Sequence, residues 1–294
     1  MSPNNFPIKT ITPKDAAYPN LLRKIYDAPK LLYVRGDLSF TNTLPLVAVV
    51  GTRRCTSYGK RATIYIVRDL VRAGVGIVSG MALGIDAWAH QTTLEEDGKT
   101  VAVLGSGIDD DSLYPRANVR LGKQILKAGG AIISEYEPGS PTYPTNFPAR
   151  NRIIAGLARF TLVIEAPYKS GALITARCAL DENRDVGAIP GPLFIKQSEG
   201  ANDIIAKGAL CVRSADDILE ALEIEKPKKM KMPQFTSPEE KKVYEAMSEI
   251  SQPLSVDKII EITKLQPSQI ISLLNMLALQ NKVKDVGGER YVWI

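Results

Sequence analysis

The stretch LVAVVGTRRCTSYGKR, residues 46–61, joins five apolar residues to a glycine-led polar loop and the start of a helical segment. A short continuous apolar run of this kind is typical of a strand that is buried on both faces of a parallel sheet. Six further β-rich runs follow, most of them equally continuous: VGIVSG (75–80), TVAVLG (100–105), GAIISE (130–135), FTLVIEA (160–166), DVGAIPG (185–191) and ALCV (209–212). Helical stretches are predicted between them, around residues 59–73, 84–97, 116–128, 150–158, 172–183 and 201–207. This alternation predicts an α/β domain, a doubly wound and mainly parallel sheet covered by helices.

The chain is predicted to have four parts: an N-terminal extension (1–45) that packs on the α/β domain, the α/β domain itself (46–222), a basic linker (223–236) and a small C-terminal domain (237–294). The linker is rich in Lys and Pro and has no packing period, which predicts a solvated segment. The last part begins with a capping-box candidate, Ser237 to Glu240, and continues with helical stretches at 255–263 and 266–282. A hairpin around Gly287–Gly288 then completes the pattern of a winged helix.

The composition of the 294 residues excludes several classes of protein. Lys and Arg number 37 against 32 Asp and Glu, and this net charge of +5 permits a polyanionic partner without requiring one. One histidine and three separated cysteines supply neither a zinc site nor a disulfide framework, so we expect no metal and a reducing compartment. Since the chain has no signal-peptide pattern and no run of 18 apolar residues, we expect a soluble cytoplasmic protein without membrane contact.

Glycine-rich loops follow the first three strands of the predicted parallel sheet: GTRRCTSYGKR (51–61), SGMALGID (79–86) and GSGIDD (105–110). Ligands of such sheets bind beyond the carboxyl ends of the strands, where glycine lets backbone amides approach a phosphate. The first loop carries Arg53 and Arg54 but is not a Walker A loop, because its glycine spacing is too long. For each loop alone, a tight turn into a helix is the favoured interpretation. Together they predict an anion-binding edge.

Two later segments bring polar residues to the same predicted edge. NFPARNRIIAGLARF (146–160) places Arg150, Asn151 and Arg152 at the start of a helix, where the helix dipole disfavours arginine. The arginines therefore either bind phosphates or pair with a glutamate, for which the candidates are Glu135, Glu137 and Glu165. EAPYKSGALITA (165–176) adds Lys169 and Ser170 before the next helix.

Residues suited to catalysis are few. His90 lies four residues after Asp86, so the two share a helix face and are predicted to form a hydrogen-bonded pair. The run Asp109–Asp111 could bind a metal, but a solvated loop is the favoured interpretation. No serine nucleophile elbow is present. The residues therefore favour a binding protein over an enzyme.

In collinear order over about residues 18–210, the chain resembles DprA, the DNA-processing protein A (Smf) family. The matching stretches include VAVVGTRRCTSYGKR, SGMALGIDAWAHQTTL, TVAVLGSGID, SEYEPGSPTYPTNFPARNRIIAGLA, VIEAPYKSGALITA and SEGANDIIAKGA. The resemblance implies an extended Rossmann-like domain that binds single-stranded DNA, forms a homodimer and helps to load the RecA recombinase in natural transformation. It also implies a recombination mediator without catalytic residues or a cofactor, and a C-terminal winged-helix module like that predicted for residues 237–294.

The resemblance implies ten DNA-binding residues: Arg53, Gly80, Ser106, Gly107, Phe147, Arg150, Asn151, Arg152, Lys169 and Ser170. Phe147 suits a stacking platform for a base, although packing within the loop is an equal alternative. The loop before Phe147 lacks a lysine that the family pattern leads us to expect.

Two other functions remain open at the level of sequence. The chain could be an enzyme that acts on a nucleotide or phosphoribosyl substrate, since glycine-rich loops in this type of fold also hold nucleotides. Against this, the glutamate-containing signature of nucleotide-cleaving relatives is absent. It could also be a duplex-binding regulator that uses residues 266–282 as a recognition helix, but Lys282 is the sole cation of that stretch.

Overall fold

The computed structural model describes residues 6–225, 235–248, 253–280 and 282–293. The chain divides into two compact units, Met1–Pro227 and Lys228–Ile294. Most of the predicted linker, residues 226–234, lies outside the described residues. Within the described ranges, no helix is both long enough and apolar enough to cross a membrane.

Among residues 6–225, nine strands form one sheet. They are β1 (Ile8–Ile11), β2 (Leu32–Gly36), β3 (Leu46–Val50), β4 (Gly76–Ser79), β5 (Thr100–Val103), β6 (Ala131–Ser134), β7 (Phe160–Val163), β8 (Asp185–Ala188) and β9 (Leu210–Cys211). Their order across the sheet is β1-β2-β6-β5-β4-β3-β7-β8-β9. Every residue of β3 to β7 is buried, which is why these strands are continuously apolar in sequence.

Eight α-helices lie in the same range, seven between strands and the last after β9: α1 (Asn20–Arg23), α2 (Ser57–Arg72), α3 (Ile85–Glu95), α4 (Val119–Lys127), α5 (Asn146–Leu157), α6 (Gly171–Asp181), α7 (Glu199–Ala206) and α8 (Ala215–Ala221). Alternate residues of β3 serve opposite faces of the sheet. Ala48 and Val50 belong to the core that also contains residues of α5 and α6, and Val47 and Val49 to the core shared with α2, α3 and α8. This two-sided packing confirms the doubly wound fold class.

The N-terminal residues supply the antiparallel part of the sheet. β2 pairs with β6 at the edge of the parallel strands, and β1 pairs with β2, both antiparallel. Tyr18 and Leu22 are fully buried in the core that contains α5. The segment 1–45, expected to pack on the domain as an extension, thus contributes two strands to the sheet itself.

The order of the parallel strands changes direction at β3. From β3 the chain winds outward through β4, β5 and β6, and then crosses by α5 to β7 on the other side of β3. The loops that leave the neighbouring strands β3 and β7 therefore diverge to opposite faces of the sheet. Such a switch point opens a crevice at the carboxyl ends of the strands.

The second unit contains α9 (Pro238–Ser248), β10 (Leu254–Ser255), α10 (Val256–Thr263), α11 (Pro267–Leu279), β11 (Val283–Asp285) and β12 (Arg290–Trp293). The strands form an antiparallel sheet of order β10-β12-β11, and β10 is too short for sequence to have predicted it. Ser237 accepts a hydrogen bond from the Glu240 amide, as the capping box predicts. The Glu240 carboxylate is buried and pairs with Lys282 at 2.6 Å. Within the described residues of this unit, three helices and a sheet with a terminal hairpin form a winged helix.

Candidate nucleic-acid interface

A cleft of about 960 Å³ lies at the switch point of the sheet. Its walls come from the loops after β3 and β7, from the start of α5, and from the start of α6 with residues 196 and 197. Residues of the predicted loops 51–61 and 79–86 thus meet at one opening with residues of 165–176, whereas no residue of the loop 105–110 lines it. It is larger than the two cavities that adjoin it, of about 520 Å³ beside Asp109 and about 40 Å³ beside Gly80.

Exposed cations line this cleft. They are Arg53, Arg54, Lys169 and Lys196. In the part of the chain that the structure describes, none of the four forms an ion pair. Lys169 directly precedes the helix cap of α6, where Ser170 accepts a hydrogen bond from the Ala172 amide. Because a helix N-terminus and unpaired cations both attract negative charge, this wall suits a phosphate.

Two aromatic rings also line the cleft. The rings of Phe147 and Tyr114 lie with their centroids 5.8 Å apart and tilted by 43°. The guanidinium of Arg53 covers the Phe147 ring, 5.1 Å from its centroid. Phe147 is half-buried and Tyr114 is 43% exposed, so both rings leave surface for a ligand. A flat aromatic or heterocyclic ring could stack here beside the cations.

A buried charged layer supports the floor of the cleft. Arg150 is 4% exposed and donates hydrogen bonds to the carbonyls of Gly80, at 2.9 Å, and Val103. Asp86 accepts from the amides of Gly80 at 3.1 Å and Ala82 at 3.4 Å. Burial lowers the pKa of Arg150 to about 10, which leaves it charged at neutral pH, and burial raises the pKa of Asp86 while the Arg150 charge opposes that rise.

A side chain at position 80 would crowd this layer. A Cβ atom built there would lie 2.6 Å from an Arg150 nitrogen and 2.7 Å from an Asp86 oxygen. The space between the guanidinium and the carboxylate is therefore smaller than a methyl group. The role of Gly80 is to let the two charged side chains approach each other.

The structure brings six of the ten predicted site residues into the lining of the cleft: Arg53, Phe147, Arg150, Asn151, Lys169 and Ser170. Gly80 lies directly below, in the small cavity that Phe147 and Arg150 also line. Ser106 and Gly107 are buried and do not line the cleft, and the Ser106 hydroxyl donates to the Gly107 carbonyl at 3.0 Å. Asn151 is buried and donates to the Gly171 carbonyl at 3.1 Å, which ties α5 to the start of α6.

Arg152 is directed away from the cleft. Its guanidinium pairs with Asp27 and with Glu135, each at 2.7 Å. Of the two interpretations that the sequence left open for these arginines, pairing with a glutamate thus describes Arg152. Asp27 was not among the predicted partners, because it lies 125 residues away in sequence.

A buried carboxylate occupies the N-terminus of α2. Glu165, 2% exposed, accepts hydrogen bonds from the Thr56 amide at 2.8 Å and the Thr56 hydroxyl at 2.5 Å. It also fills the space in which Gly59 would carry a Cβ. In dinucleotide-binding proteins, the helix after the first parallel strand receives the pyrophosphate at this end. Here the protein's own carboxylate takes that place, which disfavours a nucleotide bound in that manner.

The other candidate catalytic groups have structural partners. The predicted Asp86–His90 pair is wrong: His90 is fully buried and its Nδ1 lies 2.7 Å from the Thr100 hydroxyl. Asp109 accepts from the Gly139 amide at 2.6 Å, and Asp110 pairs with Arg35 at 2.5 Å. Among the described residues, no group of His, Cys, Asp or Glu is arranged to hold a metal.

The environment of His90 gives a testable pH dependence. Burial, aided by the nearby Arg150 charge, lowers the pKa of His90 to about 3. An unfolded imidazole takes up a proton near pH 6.5, so between these values unfolding binds a proton. We therefore expect the free energy of unfolding to fall as the pH falls below 6.5, by up to about 1.4 kcal/mol per pH unit from this group.

Proton NMR can check this directly, because the chain has a single histidine. We expect the imidazole resonance to stay constant from pH 8 to 5. A resonance that titrates near pH 6.5, as an exposed histidine does, would contradict the buried position of His90. His90→Gln is the control, since it removes this contribution to the slope of stability against pH.

The structure also identifies cleft residues that the sequence did not. Tyr114, Tyr168, Lys196 and Gln197 were not among the predicted site residues, and Arg54 was noted only as a loop cation. Tyr114 lies at the end of the long loop after β5. Its contact with Phe147 of α5 depends on the tertiary fold and has no local signal in the sequence. The local sequence, a Tyr-Pro pair after an acidic run, is typical of many loops.

Two family models match this chain. The model described as DNA recombination-mediator protein A matches residues 9–223, and the model described as DprA winged helix domain matches residues 227–289. Among curated proteins, the chain is 46% identical over 215 residues to protein Smf of Synechocystis sp. and 44% identical over 209 residues to DNA processing protein DprA of Streptococcus pneumoniae. These matches cover 72% and 71% of this chain. They span 53% of the Synechocystis protein, about half its length, and 72% of the Streptococcus protein.

Solved structures give the same result. The X-ray structure of DprA from Streptococcus pneumoniae matches with a TM-score of 0.67 and 43% identity, covering 76% of this chain and 75% of that one. DNA processing protein A from Helicobacter pylori matches with a TM-score of 0.66 and 31% identity, covering 74% of this chain and 97% of that one. The Helicobacter protein was solved to describe how it binds single-stranded DNA.

Proposed function

This chain belongs to the DNA recombination-mediator protein A (DprA/Smf) family, and from that premise we propose that its cleft binds single-stranded DNA. The observation that carries the proposal is the meeting, at one sheet edge, of cations that form no ion pair among the described residues with two partly exposed aromatic rings. The Helicobacter pylori relative, which binds single-stranded DNA, supports it.

The cations and the aromatic rings of the cleft contact different parts of the strand. Arg53 and Lys169 contact phosphates, and the N-terminus of α6 adds backbone amides beside Lys169. Phe147 and Tyr114 stack on bases. Arg150 and Asn151 are buried, so their part is to hold the floor of the cleft and the start of α6 in position.

Stacking is the source of the preference for single strands. A base in a duplex has both faces covered by neighbouring base pairs, so it cannot lie on Phe147 without leaving the helix. An unpaired base has a free face and needs no sequence match. The cleft therefore binds single strands of any sequence.

The proposed role is mediation of recombination, without bond cleavage. The carboxylate that lines the cleft, Asp86, is buried and bound to two backbone amides. We further propose that the protein acts in the cytoplasm as a homodimer and helps to load RecA on the bound strand in natural transformation. Light scattering of the full chain and the single-strand-dependent ATPase of RecA test these two parts separately.

The test compares three ligands with the full chain: an oligothymidylate of about 20 nucleotides, a duplex of equal length and a mononucleotide. We expect the single strand to bind at least about tenfold more tightly than the duplex, with an affinity that falls as salt rises. Tighter duplex binding would favour the winged helix as the DNA-binding unit, although α11 contains no Lys or Arg. Stabilisation by the mononucleotide alone would favour an enzyme.

A further inference from the structure

A second basic surface lies next to the cleft, on the first turns of α2. Arg54, in the lining of the cleft, is followed after three residues by the start of α2, and Lys60 and Arg61 lie in its first turns. Arg61 is exposed and Lys60 is half-buried. Within residues 6–225, neither forms an ion pair with a carboxylate. The cations of the cleft thus continue onto the helix.

The position of these cations is electrostatically unfavourable for the helix alone. The N-terminus of a helix carries partial positive charge, and the first turn of α2 contains no acidic residue. The carboxylate of Glu165, which lies at this end, is buried and already accepts hydrogen bonds from Thr56. A negatively charged ligand bound there offsets the repulsion between these exposed cations and the helix N-terminus.

Aromatic side chains interleave with the cations. The ammonium of Lys60 lies 3.7 Å from the centroid of the Trp88 ring, which joins α2 to α3. Tyr65, four residues after Arg61 and therefore on the same helix face, is 47% exposed. Alternating cations and aromatic rings are what a single nucleic-acid strand contacts through its phosphates and bases.

We propose that a DNA strand leaves the cleft at Arg54 and continues over the first turns of α2, where Lys60 and Arg61 contact two further phosphates. This path rests on the proposed function of the cleft and extends it to a longer binding site. Trp88, in contact with Lys60, then reports on occupancy of the path.

The experiment compares oligothymidylates of about 6 and about 20 nucleotides, the first short enough to stay in the cleft. For the full chain with Lys60→Gln and Arg61→Gln together, we expect the log–log salt slope for the long strand to become shallower by about 1.4, or about 0.7 per phosphate. Its affinity at 0.1 M salt should fall by roughly ten- to thirtyfold. The short strand should bind as it does to the wild type.

Two lysines outside the cleft and outside α2 supply a charge-matched control. Lys14 and Lys127 are exposed and lie outside the cleft lining, so Lys14→Gln with Lys127→Gln removes the same charge and should leave the slope unchanged. In a Trp293→Phe background Trp88 is the one remaining tryptophan, and its emission should change with the long strand alone.

The outcomes separate this inference from the proposed function. If the wild type binds neither oligonucleotide, the proposed function itself fails. If it binds both and the Lys60/Arg61 variant behaves like the control, binding in the cleft is supported and the path over α2 is overturned. The path is equally overturned if Phe194→Ala, at the 97% exposed loop position two residues before Lys196, lowers long-strand affinity instead.

Discussion

Replacing Arg150 with methionine is expected to lower the free energy of unfolding of the first unit by about 3–5 kcal/mol. Arg150 is 4% exposed, donates to the carbonyls of Gly80 and Val103, and faces the buried carboxylate of Asp86. Methionine fills most of the volume but leaves the carbonyls unpaired and Asp86 without its neutralising charge. Denaturant unfolding followed by Trp88 emission in a Trp293→Phe background measures the effect in this unit.

Two further variants separate charge from packing. Adding Asp86→Asn to Arg150→Met removes the isolated carboxylate, so the double variant should recover part of the lost stability. Arg150→Lys keeps the charge but loses the planar donors, and should be intermediate. If Arg150→Met lowered the free energy of unfolding by less than about 1 kcal/mol, the buried layer under the cleft would not be a main source of stability for the first unit.

Phe147→Ala is expected to weaken binding of an oligothymidylate by about 5- to 150-fold, the value of one stacked base at roughly 1–3 kcal/mol. Arg53→Ala should make the slope of log affinity against log salt concentration shallower by about 0.7, because one phosphate contact is lost. Arg53 lies over the Phe147 ring at 5.1 Å, so the two side chains support each other. The double variant should therefore lose less than the sum of the single losses. Fluorescence anisotropy over a range of salt concentrations measures both quantities.

Each of the two substitutions has a matched control outside the cleft lining. Tyr143 is a 57% exposed aromatic residue four positions before Phe147 that does not line the cleft, and Tyr143→Ala should leave affinity unchanged. Arg120, exposed on α4, serves in the same way for Arg53. Equal effects of Phe147→Ala and Tyr143→Ala would contradict stacking in the cleft.

The parallel strands and their helices were predictable because burial on both faces leaves a continuous apolar signal in sequence. The loops after β3 and β7 were predictable as partners for the same reason, since the carboxyl ends of parallel strands share an edge. The antiparallel strands β1 and β2 were not, because prolines interrupt this segment and its pairing with β6 spans about a hundred residues.

The roles of Arg150 and Arg152 show how far the site can be predicted from sequence. Residues two positions apart in a helix point about 200° apart, so one arginine of the pair faces the sheet and the cleft while the other faces away. Arg150 accordingly lies under the cleft, and Arg152 pairs with Asp27 and Glu135. Their spacing predicts that the two arginines face different surroundings. It does not identify Asp27 and Glu135, the partners of Arg152, because these residues come from segments that are remote in sequence.

Binding of a single strand in the cleft can be tested most directly by photo-crosslinking the full chain to an oligothymidylate that carries one 5-iododeoxyuridine, and mapping the labelled peptide. We expect labels on the aromatic wall of the cleft, at Phe147 or Tyr114. Labels found solely on aromatic residues of the second unit, such as Tyr244, Tyr291 or Trp293, would show that the strand binds elsewhere.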